Sequence, residues 1–232
     1  MQGIVITHGT DTLEETAFFL QTLLAPAKPV VLTCAMRPAT ALVPDGPQNL
    51  LDAVAVARHV GAMGVVAVCA GVIHGAADVR KAHTYRLDPF SSGDAGPIGY
   101  VEEGSVRQLR NWPEAQTGHG QSAIKSIAIL AESADVPRVE IIMNHAGAGG
   151  AIVQALQAQG VQGLVVAGTG NGSLHHELED ALRKAQAAGV KVIRASRCLD
   201  GRVLPTPADA FAGSEGLSPV KARISLILQL LA

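Results

Sequence analysis

Short apolar runs and amphipathic stretches alternate along the first part of the chain. Runs rich in Val, Ile and Leu at residues 4–7, 30–33 and 65–70 predict buried strands. Apolar positions at helical spacing predict a helix between successive strands, and the second helix is expected to begin near Pro47. This order, with its short connections, predicts a parallel sheet covered by helices.

Each of these helices has apolar positions that are expected to face the sheet. In the first helix they are Ala17, Phe18, Leu20, Leu23 and Leu24, and in the second Leu50, Leu51, Val54 and Ala57, with Arg58 beside them. Residues 71–95 lack a clear period and are expected to be irregular. The apolar runs 98–101 and 106–109 flank a polar segment and predict a β-hairpin.

The alternation of strands and helices resumes in the second half of the chain. Strands are predicted at 139–143, 164–167 and 190–193, with helices after the first two and a last helix from Ser218. The inward positions of the last helix are expected to be Val220, Ile224, Ile227, Leu228 and Leu231. We therefore expect a second, smaller α/β unit with its own parallel sheet.

The sequence thus predicts an α/β protein, with a parallel or mixed N-terminal sheet flanked by helices and a smaller C-terminal α/β domain with a parallel sheet. The expected divisions are a first domain at 1–112, a linker at 113–137 and a second domain at 138–232. The linker carries Pro113, Gly118 and Gly120 as breakers. Residues 123–132 are either a short helix in that linker or simply its continuation.

Composition narrows the possible functions. Hydrophobic residues make up 48 % and charged residues 16 % of the chain, which is enough for a sizeable core, and the 3 % of aromatic residues leaves that core to Val, Leu, Ile and Ala. A net charge of −2 gives no basic surface, so we expect no nucleic-acid or membrane partner. No apolar run approaches the ~18–20 residues of a transmembrane span, and nothing resembles a signal peptide.

No metal or other cofactor is expected. The cysteines, Cys34, Cys69 and Cys198, are widely spaced and form no Cys-x-x-Cys motif. His175 and His176 begin a predicted helix, but adjacent helical residues point in different directions and cannot chelate one ion together. The glycines of residues 168–172 follow a predicted strand and could cradle a phosphate, but no acidic residue lies at the distance a dinucleotide site requires.

Polar residues crowd the turn after the first strand. Gly9 is expected where a side chain would clash, and Thr12 with Glu15 has the spacing of a capping box. Thr10 and Asp11 lie beside them, at the carboxyl end of a strand, where ligands bind in parallel sheets. Such residues are most often helix caps, and a ligand site is the alternative.

Four segments, in order along nearly the whole chain, resemble the motifs of bacterial-type L-asparaginases. His8-Gly9-Thr10-Asp11-Thr12, followed by Glu14-Glu15-Thr16-Ala17, is similar to the second signature of that family. The other three are Cys34-Ala35-Met36-Arg37-Pro38 with Asp45-Gly46-Pro47 and Asn49-Leu50, Asp78-Val79-Arg80-Lys81, and Gly168-Thr169-Gly170-Asn171-Gly172-Ser173.

The resemblance implies hydrolysis of the side-chain amide of L-asparagine, with L-glutamine as a second candidate substrate. It implies that Thr10 positions water or takes part in acyl transfer, that Asp11 orients Lys81 and binds the substrate amine, and that Lys81 transfers protons. Ala35 would bind the amide nitrogen through its backbone carbonyl. Ser173 matches a position that reaches the neighbouring subunit's site in a homotetramer built as a dimer of dimers.

The family's first signature, Thr-Gly-Gly-Thr-Ile-Ala, which carries the threonine assigned as nucleophile, is not in this sequence. We therefore expect a chain that lacks part of its N-terminal domain, with an exposed sheet edge at residues 4–7 and impaired activity. A cytoplasmic location is expected for the chain as given, and a periplasmic one if a signal peptide was lost with the front. The alternatives are an inactive remnant, an interaction-only fragment, or an amidotransferase subunit that releases ammonia for tRNA-dependent amidation.

Overall fold

The computed structural model of the chain describes residues 2–114, 136–207 and 209–231. The chain forms two compact units, Met1–Ala123 and Ile124–Ala232. Most of the expected linker 113–137, including the helix considered at residues 123–132, lies outside the described residues.

The first unit is built on a six-stranded mixed sheet with the order β1-β2-β3-β4-β7-β8. Its strands are β1 (Ile4–Thr7), β2 (Val30–Thr33), β3 (Val65–Cys69), β4 (Val72–Gly75), β7 (Gly99–Glu102) and β8 (Ser105–Gln108). The first three are parallel to one another, and β4, β7 and β8 pair antiparallel. β1 is an edge strand of this sheet, and the side chain of Ile4 is 47 % exposed.

Helices α1 (Leu13–Leu24) and α2 (Gly46–Arg58) cover opposite faces of this sheet. The alternation of side chains along a strand decides which helix each one meets. Leu32 and Ala67 pack with residues of α1, whereas Val31 and Val66 pack with residues of α2. Because both faces are covered, every residue of β2 and β3 is buried, which explains their unbroken apolar sequences.

The prediction that residues 71–95 are irregular was wrong in part. They contain β4, which lies inside the sheet, and a separate two-stranded antiparallel ribbon of β5 (Arg80–Lys81) and β6 (Phe90–Ser91). A single 3₁₀ turn follows at Gly93–Ala95. The strand β4 was missed because half of its residues, His74 and Gly75, are not typical of a buried strand.

Of the apolar positions predicted at helical spacing in α2, only Ala57 is buried. Leu50, Leu51 and Val54 are 42 %, 65 % and 38 % exposed, while the polar residues Asn49 and Asp52 are buried.

Two details of the turn before α1 also differ from the prediction. The Thr12 side chain makes no capping hydrogen bond, and a Cβ at Gly9 would meet no atom within 4 Å. The capping box is therefore absent at α1, and Gly9 is not required by crowding.

The second unit is a four-stranded parallel sheet with the order β12-β11-β10-β9. Its strands are β9 (Val139–Met143), β10 (Gly163–Gly168), β11 (Lys191–Ser196) and the short β12 (Ala212–Gly213), which the sequence analysis missed. Helices α3 (Ala151–Ala158) and α4 (His176–Ala187) pack on one face, and α5 (Pro219–Leu231) packs on the other.

The last helix begins as predicted at Pro219, but its buried residues are Lys221, Ala222, Ile224 and Leu226. Of the predicted inward positions, only Ile224 is fully buried. No helix in the described parts of the chain combines the length and the hydropathy that crossing a membrane requires.

Candidate functional site

The carboxyl ends of β1 and β2 form the base of the candidate site. These strands pair in parallel with Thr7 opposite Thr33, and the His8 amide then donates to the Thr33 carbonyl at 2.8 Å. The segments that carry Thr10 and Ala35 therefore leave the sheet side by side at the same edge. This edge is where parallel α/β sheets bind their ligands.

A histidine holds the turn between β1 and α1. The Nδ1 atom of His8 lies 2.7 Å from the Gly9 carbonyl oxygen, and its Nε2 lies 2.9 Å from the Thr16 hydroxyl. A carbonyl can only accept, so Nδ1 carries the proton, and in the neutral ring Nε2 accepts from the Thr16 hydroxyl. His8 thus ties the turn that carries Thr10 and Asp11 to the first turns of α1.

Lys81 reaches this turn from the β5–β6 ribbon. Its ammonium donates to Thr10 Oγ1 at 2.8 Å and to Asp11 Oδ1 at 2.6 Å. Its own backbone amide donates to Glu14 Oε1 at 3.2 Å, so α1 also anchors the ribbon. The side chain of Lys81 is 18 % exposed, whereas that of Asp11 is 90 % exposed. The structure therefore brings together the three residues named as catalytic, and their roles stay a prediction.

The charge of Lys81 affects the carboxylate beside it. The hydrogen bond from Lys81, together with its positive charge, holds the pKa of Asp11 below the usual 3.8. The Thr10 hydroxyl donates more weakly to the same carboxylate, at 3.4 Å. Asp11 is consequently an anion at neutral pH, and its exposed oxygens are accessible to a positively charged ligand.

Ala35 follows β2 and is exposed. The loop around it is held by Asp45, whose two carboxylate oxygens accept from the Met36 and Arg37 amides at 2.8 Å each. The Arg37 guanidinium donates instead to the Val43 carbonyl at 3.1 Å. Asp45 therefore contacts Arg37 through the Arg37 backbone amide and not through its guanidinium group.

Asn49 was quoted within a motif, but sequence reasoning gave it no role. It is 2 % exposed, and its side-chain amide donates to the Cys34 carbonyl at 2.9 Å and accepts from the Ala70 amide at 2.9 Å. It therefore connects the ends of β2 and β3. The sign in the sequence was its place in the same segment as Asp45-Gly46-Pro47.

The segment before Ala35 lies within electrostatic reach of Lys81. The pKa of the Cys34 thiol is lowered overall, chiefly by a hydrogen bond from the Cys69 thiol. Burial and the negative charge of Asp45 raise this pKa, and the positive charge of Lys81 lowers it. The parallel pairing of β1 with β2 places the Ala35 loop and the turn of Thr10 and Asp11 at the same edge of the sheet.

Ser173 belongs to the second unit, in the loop between β10 and α4. It is exposed, and its backbone exchanges hydrogen bonds with Thr169 at 2.9 and 3.0 Å. The loop is tight, because a Cβ on Gly168 would lie 2.5 Å from the carbonyl carbon of Gly172. Asn144 also donates to the Ser173 carbonyl at 3.2 Å. Ser173 is therefore fixed in place, and its part in a shared site stays a prediction.

Family models match both parts of the chain. Residues 1–114 match the model described as Asparaginase, N-terminal, and residues 138–232 match the Glutaminase/Asparaginase C-terminal domain.

Relatives match over nearly all of the chain. L-asparaginase 2 of Escherichia coli is 37 % identical over 238 residues, covering 98 % of this chain and 66 % of that protein. A glutaminase-asparaginase of Acinetobacter glutaminasificans is 36 % identical, covering 99 % of this chain and 70 % of that protein. The crystal structure of a probable cytoplasmic L-asparaginase from Campylobacter jejuni superposes with a TM-score of 0.89 at 38 % identity, covering 99 % of this chain and 73 % of that one. The chain spans 61–66 % of the length of the relatives from Escherichia coli, Bacillus subtilis and Haemophilus influenzae.

Proposed function

Because this chain belongs to the asparaginase and glutaminase family, we propose that it is an L-asparagine amidohydrolase, which converts L-asparagine and water to L-aspartate and ammonia. The observation that carries the proposal is the contact of the Lys81 ammonium with both Thr10 and Asp11. L-glutamine is the second candidate substrate, since some relatives are named glutaminase-asparaginase.

In the proposed reaction, oxygen from water ends up bonded to the side-chain carbonyl carbon, and the C–N bond breaks. The leaving nitrogen needs a proton, and the attacking oxygen must lose one. Lys81 donates hydrogen bonds to Thr10 and Asp11, which supports the proposal that it transfers the proton. It can accept a proton from Thr10, or from a water that Thr10 holds, once it has given its own to the leaving group.

Asp11 has two proposed tasks. Its carboxylate holds the Lys81 ammonium against Thr10, and its exposed oxygens bind the α-ammonium group of the substrate. Ala35 is proposed to accept from the side-chain amide through its backbone carbonyl. Ser173 is proposed to contact substrate in a neighbouring subunit of a homotetramer, and sedimentation equilibrium of the purified chain tests this assembly.

The 232 residues hold Thr10 but no Thr-Gly-Gly-Thr-Ile-Ala segment. We therefore propose that a polypeptide limited to these residues turns over slowly, because losing one nucleophile from a concerted site costs up to ~10⁶-fold in rate.

The proposal is tested by ammonia release from L-asparagine and L-glutamine, without tRNA, using Lys81→Met and Lys184→Met. Lys81→Met keeps an unbranched side chain that is one atom shorter, and the exposed Asp11 that loses its partner remains solvated. Lys184, exposed on α4, is the matched control. We expect Lys81→Met to remove most of the residual turnover of this chain, and Lys184→Met to leave that turnover unchanged.

Three results would redirect the proposal. Equal rates in the wild-type protein and Lys81→Met would remove Lys81 from the reaction. A folded protein with no turnover at micromolar concentration would favour an inactive remnant or an interaction-only fragment. Ammonia release that requires tRNA would favour the amidotransferase subunit.

A further inference from the structure

The carboxylate of Asp45 binds a neighbouring loop and does not cap its own helix. Asp45 directly precedes α2 but makes no side-chain capping hydrogen bond there. Its Oδ2 accepts from the Met36 amide and its Oδ1 from the Arg37 amide, both at 2.8 Å. Two adjacent peptide groups are thus held by one carboxylate.

Planar peptide geometry makes this contact fix a carbonyl as well. The Met36 N–H and the Ala35 C=O belong to the same peptide group, and the described residues contain no cis peptide bond. In a trans peptide these two bonds point in opposite directions. Because the N–H points at Asp45, the Ala35 carbonyl oxygen points away from the carboxylate. The contact with Arg37 holds the following peptide, which opposes rotation of the whole segment.

Cys34, on the other side of Ala35, is held by Asn49. Its Nδ2 donates to the Cys34 carbonyl at 2.9 Å and to Asp45 Oδ2 at 3.3 Å. Ala35 therefore lies between two fixed peptide groups, while its own carbonyl belongs to an exposed residue. Burial raises the pKa of Asp45, but the amides of Met36 and Arg37, its own amide and Asn49 lower it more, so the carboxylate is charged above pH 3.8.

We propose that Asp45 is a positioning residue, which presents the Ala35 carbonyl to the substrate and thereby sets the preference for a side-chain amide over a carboxylate. A carbonyl oxygen accepts a hydrogen bond from an amide nitrogen and repels a carboxylate oxygen. A site that is built to receive an N–H rejects the analogue that lacks it. The proposal rests on the proposed function, because it assumes that Ala35 meets the substrate amide.

The test compares Asp45→Asn with Asp52→Asn in the full chain. Asparagine at position 45 supplies one acceptor for two amide donors and turns its own NH₂ toward the second, so the loop loses one of its two contacts. Asp52 is buried on the same helix and accepts from Gln48 Nε2 at 2.8 Å, a contact that an asparagine oxygen preserves. Calorimetry measures dissociation constants for L-asparagine and L-aspartate, and ¹H–¹⁵N spectra follow the Met36 and Arg37 amides.

We expect Asp45→Asn to lower the ratio of asparagine to aspartate affinity on the order of tenfold, about the value of one well-placed hydrogen bond. Asp52→Asn should leave the ratio unchanged. General destabilisation weakens both ligands alike, so the ratio separates positioning from a structural role. In the wild-type protein, the Met36 and Arg37 amide shifts should move together with a transition below pH 3.8.

A ratio within twofold of the wild-type value in a folded Asp45→Asn protein would overturn the proposal, as would Met36 and Arg37 amides that ignore the acid transition. If Asp45→Asn does not fold, Asp45→Ser, with a smaller side chain and one acceptor oxygen, takes its place. Wild-type protein that binds neither amino acid would refute the proposed function instead, and the amide titration would still decide whether Asp45 holds the loop.

Discussion

Replacing Asn49 with alanine should destabilise the first unit far more than its small, polar side chain suggests. Asn49 is 2 % exposed, and its side chain donates to the Cys34 carbonyl and accepts from the Ala70 amide, at 2.9 Å each. Cys34 is buried, so its carbonyl would lose a partner that water cannot easily replace, at about 1–3 kcal/mol. Ala70 is exposed, and its amide can recover part of the loss from solvent.

We therefore expect Asn49→Ala to lower the free energy of unfolding of this unit by about 2–4 kcal/mol, a large part of the 5–15 kcal/mol that is typical of a domain. Trp112 provides the assay, because it is the only tryptophan of the chain and is buried in the same unit. With a urea slope of about 1–3 kcal/mol per molar, the midpoint of its fluorescence transition should fall by about 1–2 M.

Leu50→Ala is the matched control for this experiment. It removes more apolar atoms from the next residue of α2, yet the Leu50 side chain is 42 % exposed. We expect Leu50→Ala to lower the free energy of unfolding by less than about 1 kcal/mol. If Asn49→Ala were no more destabilising than Leu50→Ala, the two backbone contacts of Asn49 would not be the source of its stabilising effect, and the reasoning would fail.

Three further predictions concern other parts of the molecule. Gly168→Ala should destabilise the second unit by at least about 2 kcal/mol in thermal melts followed by circular dichroism, because its Cβ would lie 2.5 Å from Gly172. The folded-state pKa of Asp11 is lowered, so its ion pair with Lys81 contributes above the unfolded value of 3.8 and is lost as pH falls through the folded value. The ¹³C-carboxyl titration should therefore lie below pH 3.8, should return toward that value in Lys81→Met, and should leave activity between pH 5 and 8 free of an Asp11 step. Ala70→Val should lower stability by about 1–2 kcal/mol in urea titrations, because residue 70 has a φ of +51° and a β-branched side chain is costly there.

The sequence predicted the strands whose residues are buried on both sides, because a continuous run of Val, Ile and Leu is typical of a strand that helices cover on both faces. It did not predict the buried side of α2. There, Asn49 and Asp52 are inside while Leu51 is 65 % exposed, and hydrophobicity gives the opposite answer. Asn49 is tolerated inside because it meets strand-end groups 15 and 21 residues away in the chain. Such partners cannot be found from local periodicity.

The candidate site could also be predicted only in part from the sequence. Thr10 and Asp11 could be predicted as site residues because they follow a strand. Lys81 is 71 residues from Thr10 and was named only because its motif resembles one of the family. Asp45 was quoted within a motif, but its contact with the Met36 amide depends on a loop conformation that the residue types do not reveal. Backbone atoms carry much of this site, and the identity of a side chain says little about where a backbone group points.

The ribbon that carries Lys81 determines how long the site stays assembled. β5 and β6 are two residues long and, in the part of the chain that the structure describes, pair only with each other. The amides of Ala82 and His83 extend the ribbon by donating to the Pro89 carbonyl at 2.8 and 3.1 Å. So small an element can open while the six-stranded sheet stays intact. Amide hydrogens of Ala82 and His83 should then exchange with deuterium much faster than those of β3, and a bound amino acid should slow that exchange. The fraction of time for which the cluster is assembled would be set by this local opening, and not by global stability.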